Sequence, residues 1–510
     1  MALREVRDRQ QGFGGGVNTT SDDSALQPTE FRVGINTQLD LRGAARKRRG
    51  TQRVLTSAFG GTVLGGYSWA QTSSRQELMV ASGTLYTGTL SIPMTVTSRG
   101  GTFSTSVYPM FAPFRGPSSD GVYIADGGAL CFWDGAALTS RIVNTPNVEA
   151  IVAWGPRLFG MSGTTLYWSG TTGGINGHTL GAAAGGGQAI VRTFGGQSLV
   201  AGVGLRSSLL LFHQSAISRF TGATQDDIDI YAGTQGLTAD IGTVSKRSIV
   251  TWENAVFFLS DRGAFMCDEN SVNPVSSPLE RTLSQLSQSD WAKVSAVHAR
   301  AYNEIRWSIP NVGVYAYNYR TQGWTGPWGG TYVTPEVSAM WDSKDSNSAP
   351  VVLLGNTGGS VYWCDRSSVY VDDVLSDGTG GTLYPWTVQC KRFYGQDYTQ
   401  FKAWRTLYAL GDFQDPANTT VQVTTSGGTY TFPLPYDMSM SALTLTWGDA
   451  STTWGATGTV WGGASTTNVE RARGPLQGVH PWADVSFLYT GTKSSKVAVV
   501  DVLGYARRRR

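Results

Sequence analysis

Between Ser248 and Trp328 the chain alternates short apolar runs with polar breaks. Ile249-Val250-Thr251-Trp252 stops at Glu253-Asn254, Val256-Phe257-Phe258-Leu259 stops at Ser260-Asp261-Arg262-Gly263, and Ala264-Phe265-Met266-Cys267 stops at Asp268. Runs of about four residues rich in β-branched and aromatic side chains, cut by Asx/Gly turns, predict consecutive antiparallel strands joined by hairpins. After a polar insertion the pattern resumes at Glu304-Ile305-Arg306-Trp307-Ser308-Ile309, turns at Pro310-Asn311 and continues to Tyr319. The whole stretch reads as one blade of a β-propeller with a segment inserted into it.

The same motif recurs along the chain. A turn followed by a short apolar strand occurs at Gly83, Gly128, Gly163, Ser215, Gly263, the run Val314–Tyr319, and Gly359. An apolar partner run precedes most of these, for example Leu78–Ala81, Val122–Ala125, Leu209–Phe212 and Val351–Leu354. A period of roughly 40–50 residues with four short strands per unit is that of propeller blades, because so small a sheet buries both faces only between neighbours in a ring. The expected fold class is all-β: a β-propeller of six to seven blades, seven preferred, plus a C-terminal β-sandwich-like domain and an extended N-terminal arm. An array of sandwiches is the structural rival.

The inserted segment carries the one helix the pattern supports. Ser277 stands as N-cap, Pro278 at N1 and Glu280 at N3, with Leu279, Leu283 and Leu286 on one face. It suits a lid over a loop or a docking element.

Domain boundaries follow from shifts in rhythm. Residues 1–50 form the arm, with Gly14-Gly15-Gly16 and an alternating run from Phe31 to Leu41 that needs another surface to lie against. Residues 51–370 form the propeller. Residues 371–385, with Asp372-Asp373 and Ser376-Asp377-Gly378-Thr379-Gly380-Gly381, have linker composition. Residues 386–510 hold longer alternating strands, Thr387–Lys391, Ala403–Tyr408, Thr419–Val423, Val485–Tyr489 and Lys496–Tyr505. Within them Trp447–Thr466 is low-complexity, and Trp454 and Trp461 are candidate subunit contacts rather than catalytic groups.

Composition sharpens this picture. The 510 residues include 64 Gly, 17 Trp and 21 Tyr with only 15% charged residues, which favours strands and tight turns over helices. A net charge of +3 on so long a chain gives no global steering toward nucleic acid. The cations are clustered instead, at Arg42–Arg53 and Arg507–Arg510. Solvated surface is the plain reading of both; partner or phosphate contact is the alternative, with Arg46, Lys47, Arg48 and Arg49 as candidates. Cys131, Cys267, Cys364 and Cys390 suit buried free thiols. The polar start of the chain and the absence of long apolar runs lead us to expect synthesis in a reducing cytoplasm without an ordinary export signal.

Chemistry is sparse. His178, His213, His298 and His480 have no partner at metal or triad spacing and read as structural. No phosphate-binding loop or nucleophile elbow occurs; Gly195-Gly196-Gln197-Ser198 lacks the lysine, and the Gly-Ala tract Gly181–Gly187 reads as a flexible loop. Asp226-Asp227-Ile228-Asp229 could hold Ca²⁺ but lacks the glycine and distant glutamate of a calcium loop, so a solvated loop is the expectation, as for Asp372-Asp373. Two carboxylates facing each other across a channel would leave no trace in sequence, yet none of the turns carries the Ser-x-Asp-x-Gly-x-Thr-Trp hairpin of sialidase-type propellers. No enzyme activity, cofactor or metal is expected.

Two stretches resemble virion tail proteins of bacteriophages, in particular the tail nozzle or tubular tail (hub) proteins of short-tailed phages. The first is Phe13-Gly14-Gly15-Gly16-Val17-Asn18, then Gly34-Ile35-Asn36 and Leu39–Thr51, a Gly-rich arm followed by a strand ending in a Lys/Arg-Gly turn. The second runs from Phe258–Phe265 through Asn273-Pro274-Val275 and Pro278–Arg281 to Asn303–Trp307 and Val314–Trp324. The resemblance implies a structural virion protein, usually a homohexamer, ringed around the channel through which DNA leaves the capsid without sequence-specific binding. Its partners would be other tail proteins, a portal-side adaptor and tail fibres, with contact to the host's outer surface left open. It would be assembled in the host cytoplasm and serve virus assembly, genome retention and genome ejection. A receptor-binding or glycan-degrading tail propeller is the alternative, and a generic protein-binding propeller a third.

Overall fold

The computed structural model describes residues 5–71, 74–115, 120–170, 180, 186–191, 197–221, 236–329, 336–395, 401–413, 418–426, 428–434, 469–475 and 479–506. The chain divides into two compact units, one of residues 49–382 and one of residues 1–48 with 383–510.

In the 49–382 unit, consecutive strands pair as antiparallel four-stranded sheets in simple up-and-down order. Sheet 1 spans Val63–Gly100, sheet 2 Met110–Thr139, sheet 3 Ala150–Ile190, sheet 4 Leu199–Thr238 and sheet 5 Val250–Pro274. A further run of four strands, sheet 6, spans Ser295–Trp328. Sheet 7 is composite. Val337–Lys344, Pro350–Asn356 and Val361–Cys364 are completed by Thr51–Arg53, whose Gln52 lies opposite Trp363.

Every turn read from the sequence precedes or opens the third strand of one of these sheets, and the apolar partner runs are second strands. The reason is local chemistry. Between Ala81 and Thr84, for instance, Ser82 and Gly83 both have positive φ, 49° and 75°, the two-residue turn that suits a twisted hairpin. Ser248–Trp328, read as a single blade, is a correction. It covers all of sheet 5 and all of sheet 6, because the segment between them connects sheets rather than interrupting one. That segment also differs in detail: a 3-10 turn at Ser277–Leu279 leads into helix α1 (Glu280–Leu283), and helix α2 (Gln288–Lys293) follows. Ser277 does not cap. The real capping box is at Ser287 and Asp290, where the hydroxyl accepts from the Asp290 amide. Leu279 and Leu283 are buried as expected, while Leu286 is only half-buried.

The sheets pack face to face: sheets 5 and 6 meet through the Phe257 and Tyr317 rings, centroids 5.8 Å apart, and the other neighbouring pairs share an apolar layer. Leu78, Val80, Val122 and Ile124 join sheets 1 and 2. Tyr123, Phe132, Ile151 and Leu158 join 2 and 3, Phe159, Trp168, Leu209 and Leu211 join 3 and 4, and Leu210, Phe212, Val256 and Phe258 join 4 and 5. Val297, Val314, Val352 and Leu354 join 6 and 7, and Val63, Met79, Trp341 and Leu353 join 7 back to 1, closing a propeller-like ring. Tryptophans tie the seams, since a buried indole N–H needs an acceptor. Trp133 donates to Gln76 Oε1 at 2.9 Å, Trp154 to the Leu205 carbonyl at 2.8 Å, Trp307 to the Ser248 carbonyl at 3.0 Å and Trp341 to Glu77 Oε2 at 3.0 Å, each crossing to a neighbouring sheet.

Residues 371–385, expected as a linker, are hydrogen-bonded into the structure. Val374 exchanges backbone hydrogen bonds with Thr51 and Arg53, Asp372 pairs with Thr382, and Asp372 is fully buried. The segment folds over the closing strand because that strand's outer edge would otherwise leave backbone groups without partners.

In the other unit the N-terminal arm is not a separate element but part of one compact unit with the C-terminal strands. Glu5–Gln10 pairs antiparallel with the stretch from Val500 to Tyr505, Ala45–Lys47 pairs with Lys496 and Val497, and Val33–Ile35 pairs with Thr387–Gln389. Two antiparallel sheets result, one built on the long strands Lys402–Phe413 and Ser495–Ala506, the other on Thr419–Thr425 and Ala483–Tyr489. Val6, Phe31 and Leu39 are buried with Trp404, Val421, Phe487 and Val502. The alternation from Phe31 to Leu41 thus finds its second surface in the chain's own C-terminal strands as far as Leu39, while Leu41 is exposed.

Candidate functional site: the channel mouth

The first strands of sheets 1, 2, 5, 6 and 7 converge on one space, a channel between the sheets. A cavity of about 290 Å³ lies in it, walled by Gly65–Tyr67, Pro109–Phe111, Ile249–Thr251, Ser295–His298 and Ala339–Asp342. Residues just before the first strands of sheets 2, 3, 5 and 6 meet at the mouth of that channel. Among them, Lys246 and Arg247 stand on a 3-10 turn leading into sheet 5.

These two side chains reach across the mouth. Lys246 Nζ donates to the Glu149 carbonyl, ahead of sheet 3. Arg247 donates to the Ser338 carbonyl in sheet 7 and, at 2.6 Å, to the Lys293 carbonyl ahead of sheet 6. Its guanidinium carbon lies 3.3 Å from the centroid of the Tyr108 ring, ahead of sheet 2. One dibasic step therefore touches the lead-ins of three other sheets and the first strand of a fourth. Burial in the wall lowers Lys246 to about 8 and Arg247 to about 10, so both are largely charged at neutral pH. His298 faces the same cavity, its imidazole held below the ordinary value by burial and by Arg300. Arg300 is paired with Asp342 at 3.3 Å. The arrangement can hold an anion; it contains no nucleophile with an adjacent base.

A second concavity, about 520 Å³, opens between sheets 1 and 2 and is lined by Tyr67, Trp69, Phe114, Asp120 and Asp134 among others.

The cations singled out in the sequence are placed otherwise. Lys47 and Arg48 are buried inside their own unit. Lys47 Nζ donates to the Gly491 carbonyl at 2.6 Å and lies over the Tyr384 and Tyr489 rings. Arg48 donates to Asn36 Oδ1 at 3.0 Å and stacks 3.9 Å above Tyr384. Neither can present its charge to a neighbour, which corrects the expectation for these two. Arg46 is half-buried and donates to Gln38 Oε1 at 2.8 Å, and Arg49 reaches Tyr302 Oη at 3.4 Å. Trp454, Trp461, His178, Asp226–Asp229 and Arg507–Arg510 lie outside the described residues, as does nearly all of Gly181–Gly187.

Asp372 and Asp373 are not a solvated pair: Thr51 and Arg53 hold them. His213 is buried against Gln197 and Ser218, and His480 meets Ser426 at 3.0 Å. All four cysteines are free and buried, with burial pushing Cys267 up to about 12, so it stays a thiol. Among the described residues no group of three or more His, Cys, Asp or Glu could hold a metal ion.

Lys246 and Arg247 were missed because a single dibasic step reads as surface. A signal was present all the same. Tyr108, Glu149, Lys293 and Glu336 occupy the equivalent lead-in positions, each within two residues of a first strand, so superposing the repeats would have gathered them.

Comparison with models of known protein families found no match, and comparison with curated protein sequences found none. Among solved structures, the chain is similar to that of U3-55K (TM-score 0.41, 8% identity, 61% of this chain and 97% of that one). It is likewise similar to the RRP9 WD40 repeats (0.43, 9%, 63% and 99%). The Pan2 WD40 domain from Neurospora crassa is a third (0.42, 8%, 63% and 97%).

Proposed function

We propose that this chain is a structural, non-enzymatic protein of a bacteriophage tail, assembling as a homohexameric ring, nozzle or hub, around the DNA exit channel. In this reading the four-stranded sheets are the blades of a seven-bladed propeller, and the unit of residues 1–48 and 383–510 is a sandwich-like domain that builds the ring. The observation that carries the proposal is the insertion of the propeller between two halves of that unit. Both chain segments return to one β domain, Glu5–Gln10 lying along the strand that runs to Ala506, so the propeller is an insertion in the chain of a domain that, in this reading, builds the ring. The propeller's own channel is crossed by Lys246 and Arg247, so DNA would pass through the ring of subunits instead.

The second reading, a receptor-binding or glycan-degrading propeller, draws on the cleft of Tyr67, Trp69, Asp120 and Asp134, where aromatic and carboxylate groups suit a sugar. Light scattering after size exclusion, negative-stain imaging and a capsular-polysaccharide hydrolysis assay separate the two. A ring without hydrolysis supports the tail protein; a stable monomer that cleaves polysaccharide overturns it.

A further inference from the structure

The charges at the channel mouth are more than a staple requires. Among the described residues Lys246 and Arg247 donate to carbonyl oxygens, and Arg247 also to the Tyr108 side chain; none of these acceptors is a carboxylate. Neither forms an ion pair among the described residues. The Asp126, Glu149 and Glu336 carboxylates act on them without forming an ion pair. Arg247 Nε is buried with no acceptor at all. A neutral donor would serve a carbonyl equally well, whereas two cations beside a walled cavity set up a field for an anion. Arg300 and Asp342 cancel one another, which leaves the positive charge of the pair uncompensated at contact range.

We propose that the channel mouth is a binding site for a small oxyanion, a phosphate or carboxylate group, held by Lys246 and Arg247 with the guanidinium seated on the Tyr108 ring. The cavity of about 290 Å³ admits a small ligand and its hydration, not a polymer. The planar guanidinium, already fixed by two carbonyls and a ring, offers its remaining N–H groups without reorganising. An oxyanion there would relieve the burial that depresses Lys246 and lock five sheets together from within. The inference does not depend on the tail assignment.

Isothermal titration of the full chain with inorganic phosphate, with acetate and with chloride at matched ionic strength tests it. Phosphate or acetate, but not chloride, is expected to bind saturably and to raise Tm. Saturation by phosphate alone identifies a phosphate group, and by acetate alone a carboxylate. Lys246→Gln should weaken binding roughly tenfold, the scale of one lost charge-assisted bond. Because Arg247 ties several sheets, the companion variant is Thr251→Asp, at an exposed position of the channel wall, which should weaken binding similarly while far-UV circular dichroism stays unchanged. Equal binding by wild type and both variants, or no saturable heat with either oxyanion, overturns the proposal.

Discussion

Arg53 and Asp373, 320 residues apart, form a paired hydrogen bond in which Arg53 Nη2 donates to Asp373 Oδ2 at 2.8 Å and Nε donates to Oδ1. The pair fastens the closing strand of sheet 7 to the segment that follows that sheet. It holds the ring shut where the chain enters and leaves it, and a ring of sheets is weakest at such a seam.

Asp373→Ala should therefore loosen the seam. Arg53 remains about one-third exposed, so the expected loss is about 1 kcal/mol. Hydrogen exchange should show faster opening of Thr51–Arg53 and Val361–Cys364 than of sheets 2 to 4. Uniform acceleration across all sheets would contradict this.

Arg306 is buried between two carboxylates, donating to Glu304 Oε2 at 2.8 and 2.9 Å and to Asp365, with the Trp328 ring 4.5 Å from its guanidinium carbon. Burial alone would lower its pKa, but the two anions raise it well above the ordinary arginine value. Arg306→Ala strands both carboxylates in the core and is expected to cost about 3–5 kcal/mol. Adding Glu304→Gln and Asp365→Asn to Arg306→Met should recover much of that loss in urea denaturation; no recovery would show that packing, not charge, sets the cost.

Gly66 lets sheet 1 approach sheet 7. A Cβ there would lie 2.4 Å from the Trp341 ring. Gly66→Ala should destabilise by about 1–3 kcal/mol through overpacking. In a Trp341→Leu background the same substitution should cost little, because the ring it strikes is gone.

Glu77 is fully buried, accepting from Ser68 Oγ at 2.7 Å, Ser343 Oγ at 2.5 Å and Trp341 Nε1 at 3.0 Å. Burial nevertheless raises its pKa, the hydrogen bonds offsetting only part of the effect. An acid whose folded pKa is raised holds its proton longer in the native state than in the unfolded one, so it favours folding at low pH and that contribution is lost as pH rises. Relative to Glu77→Gln, wild-type stability should fall as pH climbs from the ordinary carboxylate range, about 4.3, and level off above the raised value. Wild-type stability that rises with pH relative to Glu77→Gln would refute the assignment.

The sequence by itself determined the strands. Turn chemistry such as Ser82-Gly83, and apolar runs such as Val122–Ala125, act over a few residues, so each second and third strand was legible where it stood. What a strand meets is not a local property. Only the tertiary structure decided that Thr51–Arg53 completes the last sheet and that Glu5–Gln10 lies against a strand nearly 500 residues away. Lys47 and Arg48 read as a surface cluster because a run of cations is costly to bury; Tyr384, Tyr489 and Asn36 remove that cost, and their approach is invisible in the run itself. Lys246 and Arg247 show the converse. As neighbours in sequence they are two ordinary cations. They become a site because closing the ring brings the lead-ins of four sheets and the first strand of a fifth together, where carbonyls, a ring and a cavity surround them.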